Sequence, residues 1–207
     1  MNNLAYNSQQ PDKVGPQVEE KLRKEVGASA PIGYKVEDQG GTTSVGSVLS
    51  DMAHGLFGGK SELLFTLVFD LTEPRRAELR AAVARQGVGC HVGGLLYSIQ
   101  LAKSVKSEVT LEPPKSFGTA KFMGDPEAIG KLNAKGDLLK RVAKFARTET
   151  ELGGLKIKID RLVKIVPQES GTLLAISTLG RPTSMGFDAS LDAKEFFDIA
   201  AQIEALL

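Results

Sequence analysis

A chain of 207 residues with 42% hydrophobic and 25% charged residues has ordinary globular composition, which excludes fibrous and largely disordered classes and suffices to bury a core without staples. A net charge of +1 gives no overall electrostatic case for nucleic acid or a membrane surface. The single cysteine, Cys90, excludes an intrachain disulfide and a four-cysteine zinc cage.

The first sixteen residues, polar and carrying Pro11 and Pro16, have little to bury and read as a mobile arm over 1–16. One α+β domain over 17–207 is expected to follow, with room for two subdomains meeting near 112–116. A short polar helix is predicted from Gln17 to Val26, ended by Gly27, and the Gly/Ser/Thr-rich segment Ala28 to Gly46 reads as loop. Val45, Val48, Leu49, Met52 and Leu56 recur at helical spacing before Gly58 and Gly59. Leu63 to Phe69 alternates with period two and predicts a mostly buried strand. Thr72 as N-cap and Pro74 in the first turn then predict a helix running to Gly87.

Leu95 to Leu111 alternates over a long stretch, which predicts one bent strand or a hairpin turning near Lys103 to Lys106. A short strand follows around Phe117 to Met123, then a helix started by Asp125 and Pro126, then a helix over Asp137 to Arg147. Leu155 to Ile165 alternates again, Pro167 to Gly171 turns, and Thr172 to Leu179 is a strand. Asp192 caps a final helix with Glu195 placed for a capping box and Phe196, Ile199, Ala200, Ile203 and Leu206 as its buried stripe. Strands outnumber crossover helices and come in adjacent pairs. This predicts an α+β fold, a mainly antiparallel twisted sheet with helices packed on it and a C-terminal amphipathic helix.

Three motifs invite a chemical reading. His54 to Ser61, HGLFGGKS, resembles a phosphate loop, but Gly55 stands one position too late and the expected order is helix, loop, strand rather than strand, loop, helix. Cys90 and His91 are adjacent, so on an extended chain their side chains point to opposite faces and cannot act as nucleophile and base. Gly180 to Gly186 reads as a connecting loop that displays Arg181.

The strongest charge pattern is a basic stripe. Between Lys115 and Lys164 there are 12 Lys and Arg against 6 Asp and Glu, whereas Ile165 to Leu207 holds 2 against 6. Within the basic region Lys140, Lys144 and Arg147 recur along one helix face with Arg141 beside them. These four, with Arg181, are the candidate binding residues; no catalytic or metal residue is singled out and no cofactor is implied. The absence of Trp and of interleaved aromatics disfavours nucleic acid.

The leading expectation is therefore a noncatalytic binding domain in the reducing cytoplasm, engaging a protein partner or assembling as a homo-oligomer through a sheet edge, the basic helix face or the N-terminal arm. A carrier holding a small apolar ligand between sheet and C-terminal helix is the alternative, and an enzyme without a recognisable motif the third. No apolar run is long enough for a transmembrane helix.

Overall fold

A computed structural model describes residues 11–27, 32–37, 61–86, 90–112, 119–146, 148–152, 155–159, 163–179, 181–183, 186–188 and 191–207. The chain enters through α1 (Pro11–Val26), followed by β1 (Gly33–Glu37), β2 (Ser61–Leu71), β3 (Ala77–Gln86) and β4 (Cys90–Leu101). It then crosses to β5 (Val109–Glu112) and β6 (Lys121–Gly124), forms α2 (Pro126–Asn133), α3 (Gly136–Phe145) and the ribbon β7 (Thr148–Leu152) and β8 (Leu155–Ile159). It returns through β9 (Val163–Gln168) and β10 (Gly171–Leu179), adds the ribbon β11 (Arg181–Thr183) and β12 (Gly186–Asp188), and closes with α4 (Ala193–Leu206).

The strands form an 8-stranded sheet in the order β1-β2-β3-β4-β10-β9-β5-β6, with every neighbour antiparallel. The first four strands meander; β9 and β10 then fill the gap between β4 and β5. Gly171 permits the close approach of β10 to β4, because a Cβ there would sit 2.2 Å from the Leu101 carbonyl oxygen. This is the α+β architecture with an antiparallel sheet and a C-terminal helix that the strand pairs imply.

One face of the sheet carries the core. Phe65, Leu67, Phe69 and Leu71 of β2, Leu79 and Ala81 of β3, Leu95, Tyr97, Ile99 and Leu101 of β4, and Leu174 and Ile176 of β10 lie on it, buried against residues of the four described helices. Period-two alternation places each set on one side. α4 lies over the middle, burying Ala193, Phe196, Phe197, Ile199, Ala200 and Ile203. The rings of Tyr97, Phe145 and Phe196 meet with centroids 5.1 to 6.4 Å apart and occupy the space between β4 and α4.

Several local expectations hold. Asp125 caps α2, accepting from the backbone N–H groups of Glu127 (3.0 Å) and Ala128 (3.2 Å). It also accepts from Lys106 N–H at 2.6 Å, which ties the loop after β4 to the helix start. These donors, Ala128 and Lys106 foremost, hold its carboxyl below the usual carboxylate range.

Other expectations are corrected. The helix predicted from Thr72 to Gly87 is strand β3, despite its helix-forming Ala, Glu, Leu and Arg residues. β3 hydrogen-bonds on both edges, to β2 and β4, while Ala77, Leu79 and Ala81 are buried; tertiary pairing overrides a weak local preference. Leu95 to Leu111 is neither one strand nor a hairpin: β4 and β5 are separated by β10 and β9. Leu155 to Ile165 divides between β8 in its own ribbon and β9 in the main sheet. The loop read over Ala28 to Gly46 contains β1, and Gly180 to Gly186 contains β11 and the start of β12. α1 begins at Pro11 rather than Gln17, so residues 11–16 are helical with Val14 buried. The remainder of the predicted arm and the helical spacing from Val45 to Leu56 fall outside the described residues.

The start of α4 is a junction of four elements. Asp192 caps it, accepting from Glu195 N–H at 3.1 Å. The reciprocal half of the predicted capping box does not form, because Glu195 is drawn to Arg141 and the Asp192 N–H donates instead to the Tyr97 hydroxyl at 3.1 Å. Glu25, from the end of α1, accepts from the Ala193 N–H at 2.8 Å. Burial pushes the Glu25 carboxyl above its ordinary range, and the bond from Ala193 offsets this only in part.

Phe196→Ala is expected to cost about 3 to 5 kcal/mol in chemical denaturation, as for a large ring removed from a close-packed site; a loss below about 1 kcal/mol would contradict the packing. For Glu25 the proton is favoured in the folded state, so its contribution is fully present below the unfolded-state range and is lost as pH rises through the raised folded value. Glu25→Gln keeps an acceptor for Ala193 without the charge. Its stability relative to wild type should therefore improve from pH 4 to pH 7 in melting curves, and a difference independent of pH would contradict this.

Candidate functional site

The two edges of the main sheet are treated differently. At β6 the side-chain amide of Asn133 closes the backbone of Phe122, accepting from its N–H at 2.8 Å and donating to its carbonyl at 2.9 Å. An amide in this position supplies the donor and acceptor that a neighbouring strand would supply. At the other end β1 pairs with β2 alone among the described strands, and Gly33, Lys35, Val36 and Glu37 are exposed. An edge of this kind offers a row of unpaired backbone donors and acceptors.

The residues that build β1 alternate: Ile32, Tyr34 and Val36 on one side, Gly33, Lys35 and Glu37 on the other. Ile32 is buried, and its carbonyl accepts from Arg23 of α1 at 2.8 Å, which anchors the strand at its start. Arg23 is held in turn by Glu19 at 2.6 Å, one turn earlier. Tyr34 packs on Phe69, with ring centroids 5.6 Å apart, and over Gly15 of α1. Gly15 explains itself here, because a Cβ would lie 2.3 Å from the ring's Cζ.

On the opposite side of β1 the charges form a ladder across three strands. Lys35 stands 3.5 Å from Asp70 of β2, and Glu37 pairs with Arg80 of β3, which also binds Glu78 at 2.6 Å. Between α1 and the start of β1 lies an open cleft of 340 Å³ lined by Arg23, Ile32, Gly33, Tyr34, Lys35, Asp70 and Thr72. Its lining mixes the apolar Ile32 and Tyr34 with side chains of both charges.

Of the residues singled out by sequence, Lys140, Arg141 and Lys144 share α3. Arg141 faces α4: its guanidinium donates through Nε and Nη2 to the two Glu195 oxygens at 2.9 and 2.6 Å, with Asp198 at 3.8 Å. This fork-to-fork pair holds Glu195 below the usual carboxylate range and raises Arg141 further. Arg141, which flanks the stripe, is thus engaged within the molecule. Lys140, 3.9 Å from Asp137, and Lys144 remain exposed on α3, Arg147 falls outside the described residues, and Arg181 is placed only as the first residue of β11. Cys90 and His91 open β4 opposite Gln86 and Arg85. Of HGLFGGKS only Ser61 is described, as the first residue of β2.

β1 itself is not recognisable as a strand from sequence. Its signal is the alternation of Ile32, Tyr34 and Val36, five residues long and set among glycines, serines and threonines that read as loop. Among the described residues no group of three or more His, Cys, Asp and Glu is placed to hold a metal ion, and no helix is long and apolar enough to cross a membrane. No protein-family model, curated protein or solved structure matches the chain.

The Gly15 contact yields a direct test of how β1 is positioned. Gly15→Ala gains about 1 kcal/mol of helix propensity but drives a methyl into the Tyr34 ring, an overpacking cost of about 1 to 3 kcal/mol. A net loss of stability is expected, and the same substitution in a Tyr34→Ala background should stabilise. Equal effects in the two backgrounds would show that the ring does not rest on α1.

Proposed function

We propose that this chain is a noncatalytic protein-interaction domain that receives an extended segment of a protein partner along β1. The observation that carries the reading is the contrast between the edges: at β6 Asn133 takes both backbone groups of the central Phe122, while β1 is exposed and bordered by a cleft. In such strand addition the backbone supplies affinity and alternate side chains supply selectivity. Val36 on one side, and Lys35 and Glu37 on the other, are the positions from which selectivity would come. The reducing cytoplasm is the compartment proposed for this role, in keeping with a lone cysteine.

The alternative, an apolar ligand held between sheet and C-terminal helix, finds the rings of Tyr97, Phe145 and Phe196 in the space it needs. On α3, Lys140 and Lys144 stay exposed while the flanking Arg141 is engaged with Glu195.

Photo-crosslinking separates these surfaces. With the reactive side chain at Val36, the full chain in its source cell should give a discrete protein adduct that is missing when the group is placed at Lys194, an exposed position of α4. An adduct from Lys140 or Lys144 with none from Val36 would transfer the role to the basic helix face.

A further inference from the structure

We infer that the strand received by β1 is β1 of a second copy of this chain, docked antiparallel across a two-fold axis at Val36. This pairing rests on the reading of β1 as a docking edge and names its partner. In this register Val36 meets Val36 of the second copy, and Lys35 meets Glu37 of the second copy, twice by symmetry.

The composition of the edge selects that register. Val36, 47% exposed, is the most exposed large apolar side chain among the described residues, and it sits on the edge strand rather than on a helix. Its burial against the same residue of another copy removes apolar surface from water on both sides of the axis. Lys35 and Glu37 share the opposite face, with side chains 77% and 43% exposed, and each keeps its partner within the chain, Asp70 and Arg80, beside the strand that docks. Opposite charges directly across an antiparallel pair stabilise it, and like charges destabilise it.

The neighbouring register, centred on Lys35, sets two ammonium groups face to face. A lysine on an edge commonly deters unwanted pairing. Here Glu37, two residues on, turns the deterrent into selection for a strand with the complementary order, which this chain itself provides.

Hydrogen bonding does not restrict the choice. If the Val36 N–H and carbonyl point outward, the Val36 pair exchanges bonds across the axis; if they point to β2, Lys35 and Glu37 exchange them instead. Five residues a side fall below the area of a standard interface of about 1,200 to 2,000 Å². The association is therefore weak and concentration dependent.

Sedimentation velocity of the full chain over a concentration series reads this directly. Wild type should self-associate, and Lys35→Glu or Glu37→Lys alone should weaken association about tenfold, since each makes two facing pairs repulsive. The double variant restores both pairs and should associate like wild type. An equimolar mixture of the two single variants should associate more tightly than either variant alone.

Circular dichroism melts establish that each variant is folded. Should a single variant fail to fold, hydrogen exchange on wild type serves in its place, with protection of the β1 amides rising with protein concentration. A wild type that stays monomeric, with β1 exchange independent of concentration, overturns the second copy; so does equal association of the single and double variants. A monomer that still gives an adduct with a different protein at Val36 leaves the edge reading standing, and a monomer with no adduct removes both.

Discussion

The burial of α4 on the inner face of the sheet is the constraint on which the other contacts depend. Phe196, Ile199 and Ile203 are fully buried and Phe197 nearly so. At about 1.5 to 3 kcal/mol for each large apolar side chain, their gross contribution is comparable to the entire net stability of about 5 to 15 kcal/mol expected of a domain. The polar contacts of the helix then fix where it lies rather than how strongly it is held. At its start Asp192, Glu25 and Tyr97 satisfy or receive the first backbone groups, and Arg141 grips Glu195. Near its end Glu204 takes Arg75 from the β2–β3 turn and the Ala102 N–H after β4 at 2.6 Å. One helix thus ties together the first hairpin, the central strand, α1 and α3.

This arrangement governs where function can reside. Helices and a cluster of aromatic rings occupy the inner face of the sheet, so the proposed recognition is assigned to its periphery. The two peripheries are chemically distinct: a side-chain amide imitates a strand at β6, while β1 is left with charges ordered along it. Charge placement repeats this division. Glu195 and Glu204 of α4 are engaged with Arg141 and Arg75, whereas Lys35 and Glu37 are more exposed even where they meet Asp70 and Arg80.

Legibility in the sequence follows the range of the interactions involved. The caps at Asp125 and Asp192 and the stripe from Phe196 to Ile203 are readable because each depends on neighbours within a turn or two. β3 is not, because its Ala-rich sequence prefers helix locally and becomes strand only when β2 and β4 flank it. The wide separation of β4 from β5 is hidden for a related reason, since alternation reports sidedness and carries no information on which strand lies alongside. Nor can the basic stripe announce that Arg141 has a carboxylate waiting fifty-four positions later. The edge strand β1 shows the same limit: five alternating residues are too few to stand out from their flanks, and their exposure exists only once the strand order is known.

Native-state amide hydrogen exchange measures the dependence on α4 most directly, since it reports the free energy of opening element by element. The buried face of α4 should exchange as slowly as the central strands β4 and β10 and lose protection together with them as denaturant is added. If α4 instead opened at low denaturant while β4 and β10 stayed protected, the helix would be an accessory to a sheet that holds without it, and its burial could not be the constraint that organises the fold.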